Sequence, residues 1–288
     1  MIITKLTGGL GNQLFQYAIG RNLIYINGSD LKLDVSEYDV SNKGNFRHYA
    51  LDKFNTIQNF ASKKETNNFK FGVFKKWLYK SGIVKNKNYF LEKKFNFDKE
   101  ILKIKDNAFL QGYWQSEKYF IGIRDILLQE FSLKENIELK FGEILKEINE
   151  SNSVSIHVRR GDYVKNPKNL SFHGVCSPKY YSESTSKIAS LIEKPVFFVF
   201  SDDIEWVKEN LNITFPVVYL SGIKNIKSYE ELVLMSKCKH NIIANSSFSW
   251  WGAWLNTNQK KIVIAPKRWF NDVKLDTTDL IPENWIRI

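Results

Sequence analysis

The stretch Ser153-Val154-Ser155-Ile156-His157-Val158-Arg159-Arg160-Gly161-Asp162-Tyr163 decides how this chain is read. Its first six residues carry the pattern of a short strand with β-branched side chains. The pattern stops at two adjacent arginines and a glycine. Only seven residues of the chain are Arg, the other basic residues being Lys. Two Arg side by side at a strand end therefore point to chemistry rather than to solubilising charge. A guanidinium presents a rigid fork of donors that matches phosphate oxygens, which an ammonium does not. Gly161 lets the backbone turn there without a Cβ. In open α/β sheets, ligands sit beyond the carboxyl ends of the strands. The structural alternative is an Arg pair salt-bridged to Asp162 and to a neighbouring helix.

Downstream, Val196-Phe197-Phe198-Val199-Phe200 is a continuous apolar run of the kind buried in parallel sheets. It ends in Ser201-Asp202-Asp203, an acidic pair placed to cap a helix over 204–211. Further strand patterns occupy 217–220, 240–244 and 262–265. Helix patterns occupy 229–237 and 248–255, and Ser177-Pro178 is a helix start. The segment after Tyr163, through Asn166-Pro167 and His173-Gly174, reads as a loop. Asn245-Ser246-Ser247 stands where a strand hands over to a helix. Backbone N–H groups, two hydroxyls and the helix dipole favour an anion there.

Upstream, a strand pattern over 2–6 runs into Thr7-Gly8-Gly9-Leu10-Gly11-Asn12-Gln13, and a helix pattern follows from Asn12. With a strand at 31–35 this makes a βαβ unit whose first turn is glycine-rich. It is neither G-x-G-x-x-G nor a P-loop. The side-chain amides of Asn12 and Gln13, aimed from a helix start, suit sugar hydroxyls. Residues 46–105 show no sustained periodicity and read as short helices and loops. A strand over 108–114 ends in Gly112-Tyr113-Trp114-Gln115-Ser116, with Ser116 placed to cap a helix that carries Tyr119, Phe120, Ile123, Ile126, Leu127 and Phe131. A second helix follows over 135–149. The polar run 149–153 sets a boundary between domains 1–150 and 151–288. Alternating strands and helices throughout imply an α/β fold with parallel, doubly wound sheets.

Composition narrows the partners. The net charge of +11 favours anionic ones. The lysines are scattered rather than gathered into an arm for nucleic acid, and Arg is scarce, so no nucleic-acid partner is expected. Two cysteines far apart suggest a reducing compartment. The chain shows no signal peptide and no apolar run long enough to span a bilayer. A cytoplasmic location is expected, with peripheral attachment to an acidic membrane surface as an extension. No D-x-D carboxylate pair occurs, so no metal and no other cofactor is expected, and the arginines would hold a diphosphate instead. Cys238 and His240 lack further ligands and read as structural.

Four stretches together resemble one family. They are Gly8-Gly9-Leu10-Gly11-Asn12-Gln13-Leu14-Phe15-Gln16-Tyr17-Ala18, His157-Val158-Arg159-Arg160-Gly161-Asp162-Tyr163, Phe200-Ser201-Asp202-Asp203, and the run from Asn241 to Ala253. The chain resembles bacterial α-1,2-fucosyltransferases of glycosyltransferase family 11. The resemblance implies a GT-B-like fold, two Rossmann-type domains with the active site in the cleft between them. It implies GDP-β-L-fucose as donor, a terminal β-galactose of an oligosaccharide as acceptor, and inversion without metal.

Roles follow by resemblance. Arg159 would hold the β-phosphate, supported by Arg160. His157 would lie near the nucleotide, neutral. Glu231, by its spacing before Ser247, would read guanine, with Glu230 as the alternative. A carboxylate accepts from guanine N1–H and N2–H₂ together. Asp202, Asn245, Ser246, Ser247 and Phe248 complete the donor side, with Gly9 and Gly11 of the glycine loop. Asn12, Gln13 and Trp114 would face the acceptor. Asn12 and Asp162 join Arg159 as catalytic candidates, although Asp162 serves equally well as a partner of an arginine. No base for the acceptor hydroxyl stands out. The same motifs suit another GDP-sugar or a protein acceptor, and a non-catalytic carbohydrate-binding role leaves the phosphate residues unexplained.

Overall fold

The computed structural model describes residues 1–38, 48–69, 88–223 and 225–288. The chain forms two compact units, one of Met1–Ser132 with Asp276–Leu280, the other of Leu133–Leu275 with Ile281–Ile288. Parts of 39–47 and 70–87 fall within the stretch 46–105 that lacks periodicity, and these lie outside the described residues.

The first unit holds a four-stranded sheet of β1 (Ile2–Lys5), β2 (Leu31–Asp34), β3 (Tyr89–Leu91) and β4 (Ala108–Gln111), ordered β2-β1-β4-β3. All its pairings are parallel, as the βαβ pattern predicts. The connecting helix, Leu10–Asn27, begins two residues earlier than its periodicity suggests, with Gly9 at its N-cap and Gly28 in the left-handed conformation at its end. Strand β3 is three residues long with no fully buried position, too short for a period to register. The helix expected after Ser116 is broken. Ser116 does cap, accepting from the Lys118 N–H, but it caps a 3₁₀ turn at Glu117–Tyr119. A second turn, Ile121–Ile123, and the short helix Arg124–Glu130 follow. Helical spacing survives such breaks because 3₁₀ and α turns bury nearly the same face.

The second unit holds β5 (Asn152–Val158), β6 (Pro195–Ser201), β7 (Val217–Tyr219), β8 (His240–Ile242), β9 (Val263–Ala265) and β10 (Ile286–Arg287). Their order is β10-β9-β8-β5-β6-β7, again all parallel. Seven residues of β5 pair with β6, from Asn152 opposite Pro195 to Val158 opposite Ser201. Val154, Ile156, Val158, Phe197 and Val199 are fully buried at this centre. The helix Glu138–Glu150 belongs to this unit, where Lys140 bonds both carboxylate oxygens of Glu230 at 2.8 Å. The unit therefore begins ahead of the polar run 149–153. The segment after Tyr163 is not a loop but two short helices, Gly161–Lys165 and Pro167–His173, the second capped by Asn166. Helix Ser247–Trp254 is buried nearly all round, and Trp250, Trp251 and Trp254 pack ring on ring within it. Among the described residues no helix is long and apolar enough to cross a membrane.

Candidate functional site

The strand orders locate the site. An open parallel sheet binds ligands where the strand order reverses, beyond the carboxyl ends. In the second unit the chain runs outward through β6 and β7 on one side of β5 and through β8, β9 and β10 on the other. The reversal therefore lies between β5 and β8. The residues delivered there are Arg159 and Arg160 after β5, and Asn245, Ser246 and Ser247 after β8.

Arg159 is held by two carboxylates. Its Nη1 lies 2.8 Å from Asp202 Oδ2, and its Nη2 bonds Asp162. Its guanidinium also lies 5.2 Å from the ring centre of Tyr163. Arg160 donates its backbone N–H to Asp202 Oδ1 at 2.8 Å, and its Nε lies 3.4 Å from Asp203 Oδ2. The guanidinium of Arg160 stacks 3.6 Å from the ring centre of Trp206. The acidic pair thus serves the arginines. Asp203 occupies the N-cap of helix Ile204–Asn210 but makes no side-chain cap hydrogen bond. Capping loses here because a guanidinium is a stronger partner for a carboxylate than a backbone amide. Gly161 permits the arrangement: a Cβ there would stand 2.3 Å from Asp202 Oδ2.

His157 lies buried on β5 with its ring centre 5.5 Å from that of Phe248. Burial, then the charge of Arg159, pushes its pKa down to about 3, so it is neutral. Its Nδ1 has no hydrogen-bond partner among the described residues. Glu231 accepts from the Ser221 hydroxyl, which in turn accepts from the Ser201 N–H at the end of β6. Burial first, then the charges of Asp202 and Glu230, push the Glu231 carboxyl above the usual glutamate range, against the pull of Ser221. Glu230 is occupied: besides Lys140 it accepts from the Lys227 N–H at 2.7 Å. The charge of Asp202 reaches Glu231.

The turn after β8 is built differently from a bare anion cradle. Asn245 is buried, and its Nδ2 donates to the carbonyls of His173, Gly174 and Trp269 at 2.9, 3.4 and 3.1 Å. Cys176 Sγ lies 3.6 Å from its Oδ1. The amide holds the turn together. Ser246 Oγ accepts from the Phe248 N–H as N-cap, which leaves its hydroxyl hydrogen to donate elsewhere. Ser247 and Phe248 are half-buried at the helix start.

In the first unit the strand order reverses between β1 and β4. Gln115 Nε2 donates across this point to Asn12 Oδ1 at 2.9 Å. Gly8 turns the chain with φ +79°, and a Cβ on it would fall 2.6 Å from Asn12 Nδ2. Gly9 is half-buried as the helix N-cap and Gly11 is buried. Gln13 and Trp114, expected to face a sugar, are turned inward. Gln13 Nε2 donates to the carbonyls of His48 and Gly8 at 2.8 and 3.2 Å, and its Oε1 accepts from the Ala50 N–H. Trp114 is 1% exposed, with φ +57° and its ring edge-on to Tyr119. The backbone N–H groups of Trp114 and Tyr113 both donate to the carboxylate of Glu92, at 3.0 and 2.6 Å. Two consecutive backbone N–H groups converging on one anion fix the main chain at this turn.

Gln115, Ser221, Glu92 and Trp206 escape a reading of the sequence. Gln115 alone carried a signal, its place immediately after a strand end. Among the described residues no group of three or more His, Cys, Asp or Glu side chains could hold a metal ion.

Known proteins match this architecture. The chain is 39% identical over 298 residues to an alpha-1,2-colitosyltransferase of Escherichia coli, covering 100% of this chain and 99% of that protein. It is 35% identical over 304 residues to the E. coli O-antigen biosynthesis glycosyltransferase WbnK, covering 98% and 99%. The galactoside alpha-(1,2)-fucosyltransferase 2 of Bos taurus is 29% identical over 152 residues, covering 51% of this chain and 44% of that one. Among solved structures, the NodZ alpha-1,6-fucosyltransferase of Bradyrhizobium co-crystallized with GDP matches with a TM-score of 0.51 at 14% identity, over 87% of this chain and 90% of that chain. That likeness bears out the GT-B-like fold. The profile of Glycosyl transferase family 11 matches residues 1–288. The protein is a glycosyltransferase and belongs to glycosyl transferase family 11.

Proposed function

We propose that the protein transfers L-fucose from GDP-β-L-fucose to the 2-hydroxyl of a terminal β-galactose, forming an α-1,2 linkage with inversion and without a metal. The observation that carries this reading is the pair Arg159 and Ser246-Ser247 on either side of the β5/β8 reversal, with Glu231 beside it. A GDP leaving group gains negative charge as the sugar–phosphate bond breaks. Arg159 and the helix start at Ser247 are placed to stabilise that charge. Glu231 supplies a carboxylate for guanine, and neutral His157 with Phe248 lines the nucleotide side. Asn12, held by Gln115, is the sugar-facing amide of the first unit.

The full-length 39% identity to an α-1,2-colitosyltransferase favours a second donor, the corresponding GDP-activated colitose, with the same linkage. Incubation of the enzyme with each donor and a β-galactoside, followed by mass spectrometry, separates the two. Transfer from GDP-fucose supports the first reading, transfer from GDP-colitose alone supports the second, and transfer from neither removes both. The same assay tests metal independence. EDTA is expected to leave the rate within about twofold, since the arginines and the helix start supply the charge a cation would bring. Loss on chelation, restored by Mn²⁺ or Mg²⁺, contradicts it.

Glu231→Ala is expected to weaken GDP binding roughly tenfold or more and to blur selection of GDP over ADP, because hydrogen bonds to a charged group contribute about 1.5–3 kcal/mol. The sign with pH follows from its raised pKa. Guanine is read by the ionised carboxylate, so wild-type affinity should fall as pH drops through that raised value. This happens at a higher pH than for an ordinary glutamate, and Glu231→Ala should lose the dependence. Calorimetry with GDP and ADP checks both, and unchanged affinity and selectivity in the variant remove Glu231 from the site.

A further inference from the structure

We propose that the protein docks on an anionic lipid surface through a patch made by helix Pro167–His173 and the turn 268–274. The patch joins apolar tips to cations. Leu170, Phe172 and Val273 are 39%, 41% and 84% exposed, and Lys168, Arg268 and Lys274 are exposed beside them. Exposed apolar side chains scattered singly need no explanation, but a cluster of them marks a contact surface. Printed contacts make the patch continuous. Asn271 donates its backbone N–H to the Phe172 carbonyl and its Nδ2 to the Leu170 carbonyl, both at 2.9 Å. Lys168, Phe172 and Asp272 line one open pocket. Arg268 donates from Nη2 to the Asn271 carbonyl at 2.7 Å and from Nε to the Phe270 carbonyl at 3.2 Å. Neutral carbonyls position that guanidinium without cancelling its charge. Asp272 is the one carboxylate of the two segments, and it accepts from the Lys274 N–H at 2.9 Å.

An acidic bilayer matches both halves of this patch. Each cation held near a negatively charged leaflet raises partitioning about fivefold. Apolar tips add to that by entering the boundary between headgroups and acyl chains. The stems of lysine and arginine lie along such a boundary with their charges in the headgroup layer. A nucleic acid would engage the cations and leave Val273 in water. A second copy of the chain, seated face to face, would bring like charges together. The net charge of +11 draws the whole protein toward an acidic surface, and the patch selects which face lands. The proposal is independent of the donor and of the linkage formed.

Flotation of the full chain with lipid vesicles tests it. The protein should rise with vesicles of equal parts phosphatidylcholine and phosphatidylglycerol, and stay behind with phosphatidylcholine alone. Lys168→Glu/Lys274→Glu should weaken flotation roughly twentyfold or more. Lys63→Glu/Lys64→Glu, the same change of charge at two exposed lysines of the first unit, should weaken it less than about threefold. Phe172→Ser/Val273→Ser should weaken it roughly tenfold, and Val273→Ser by itself about threefold, which serves if the double variant does not fold. Thermal unfolding checks the fold of each. Equal losses from the two charge pairs overturn the proposal in favour of net charge without a patch. A folded apolar variant that floats like wild type overturns it too, as does a wild type that floats with neither vesicle. A wild type that dimerises in gel filtration, and stops doing so in the folded apolar variant, assigns the patch to a second copy and overturns it likewise.

Discussion

Arg159→Ala is expected to lower transfer by roughly a hundredfold or more, and Arg159→Lys to recover little of it. Loss of one contact made to charge that develops in the transition state costs about 3–4 kcal/mol. Lysine restores the charge but not the fork. An ammonium could not hold Asp202 with one nitrogen and a phosphate oxygen with another, and Arg159 presents two terminal nitrogens to separate partners. The deficit should appear mainly in kcat, because the contact strengthens as the leaving group forms. Near-wild-type turnover in a folded Arg159→Lys enzyme would remove the residue from the mechanism.

The second large effect is on stability. Asn245→Ala takes one donor group from two buried carbonyls, of Gly174 and Trp269, and from the half-buried carbonyl of His173. Each orphaned group costs about 1–3 kcal/mol, less what water recovers. A total loss of about 3 kcal/mol lowers the melting temperature by roughly 6–12 °C in a protein of this size. Asn245→Asp should be worse, since it turns a carboxylate oxygen toward those carbonyls. Thermal unfolding decides, and an unchanged melting temperature in Asn245→Ala contradicts the role given to the amide. GDP binding by the folded fraction of Asn245→Ala separates this role from direct contact with the donor.

The two predictions mark where the sequence was legible. Period and composition placed β5, β6 and the helix behind β8 to within a residue or two, because long buried runs leave little choice of conformation. The parallel order followed from the alternation of elements. The arginine pair was legible because its residue type is rare in this chain. Tertiary partners were not legible. Asp203 sits where a helix cap belongs, and nothing local says that Arg160 will claim it. Gln13 and Trp114 have sugar-binding chemistry, yet the carbonyls of Gly8 and His48 hold the Gln13 amide inward and the Trp114 ring is buried edge-on to Tyr119. Asn12 stayed at the strand reversal because Gln115, 103 residues away, holds it there. Such pairings depend on which strands become neighbours, and that is fixed by the whole sheet.

The most direct test of the account is the linkage of the product. With GDP-fucose and a β-galactoside, NMR of the purified product should show fucose in α configuration on the galactose 2-hydroxyl. A 2-deoxygalactoside should accept nothing, while blocking the 3-, 4- or 6-hydroxyl should at most slow the reaction. Efficient fucosylation of the 2-deoxygalactoside, or a product linked through another hydroxyl, would contradict the α-1,2 assignment.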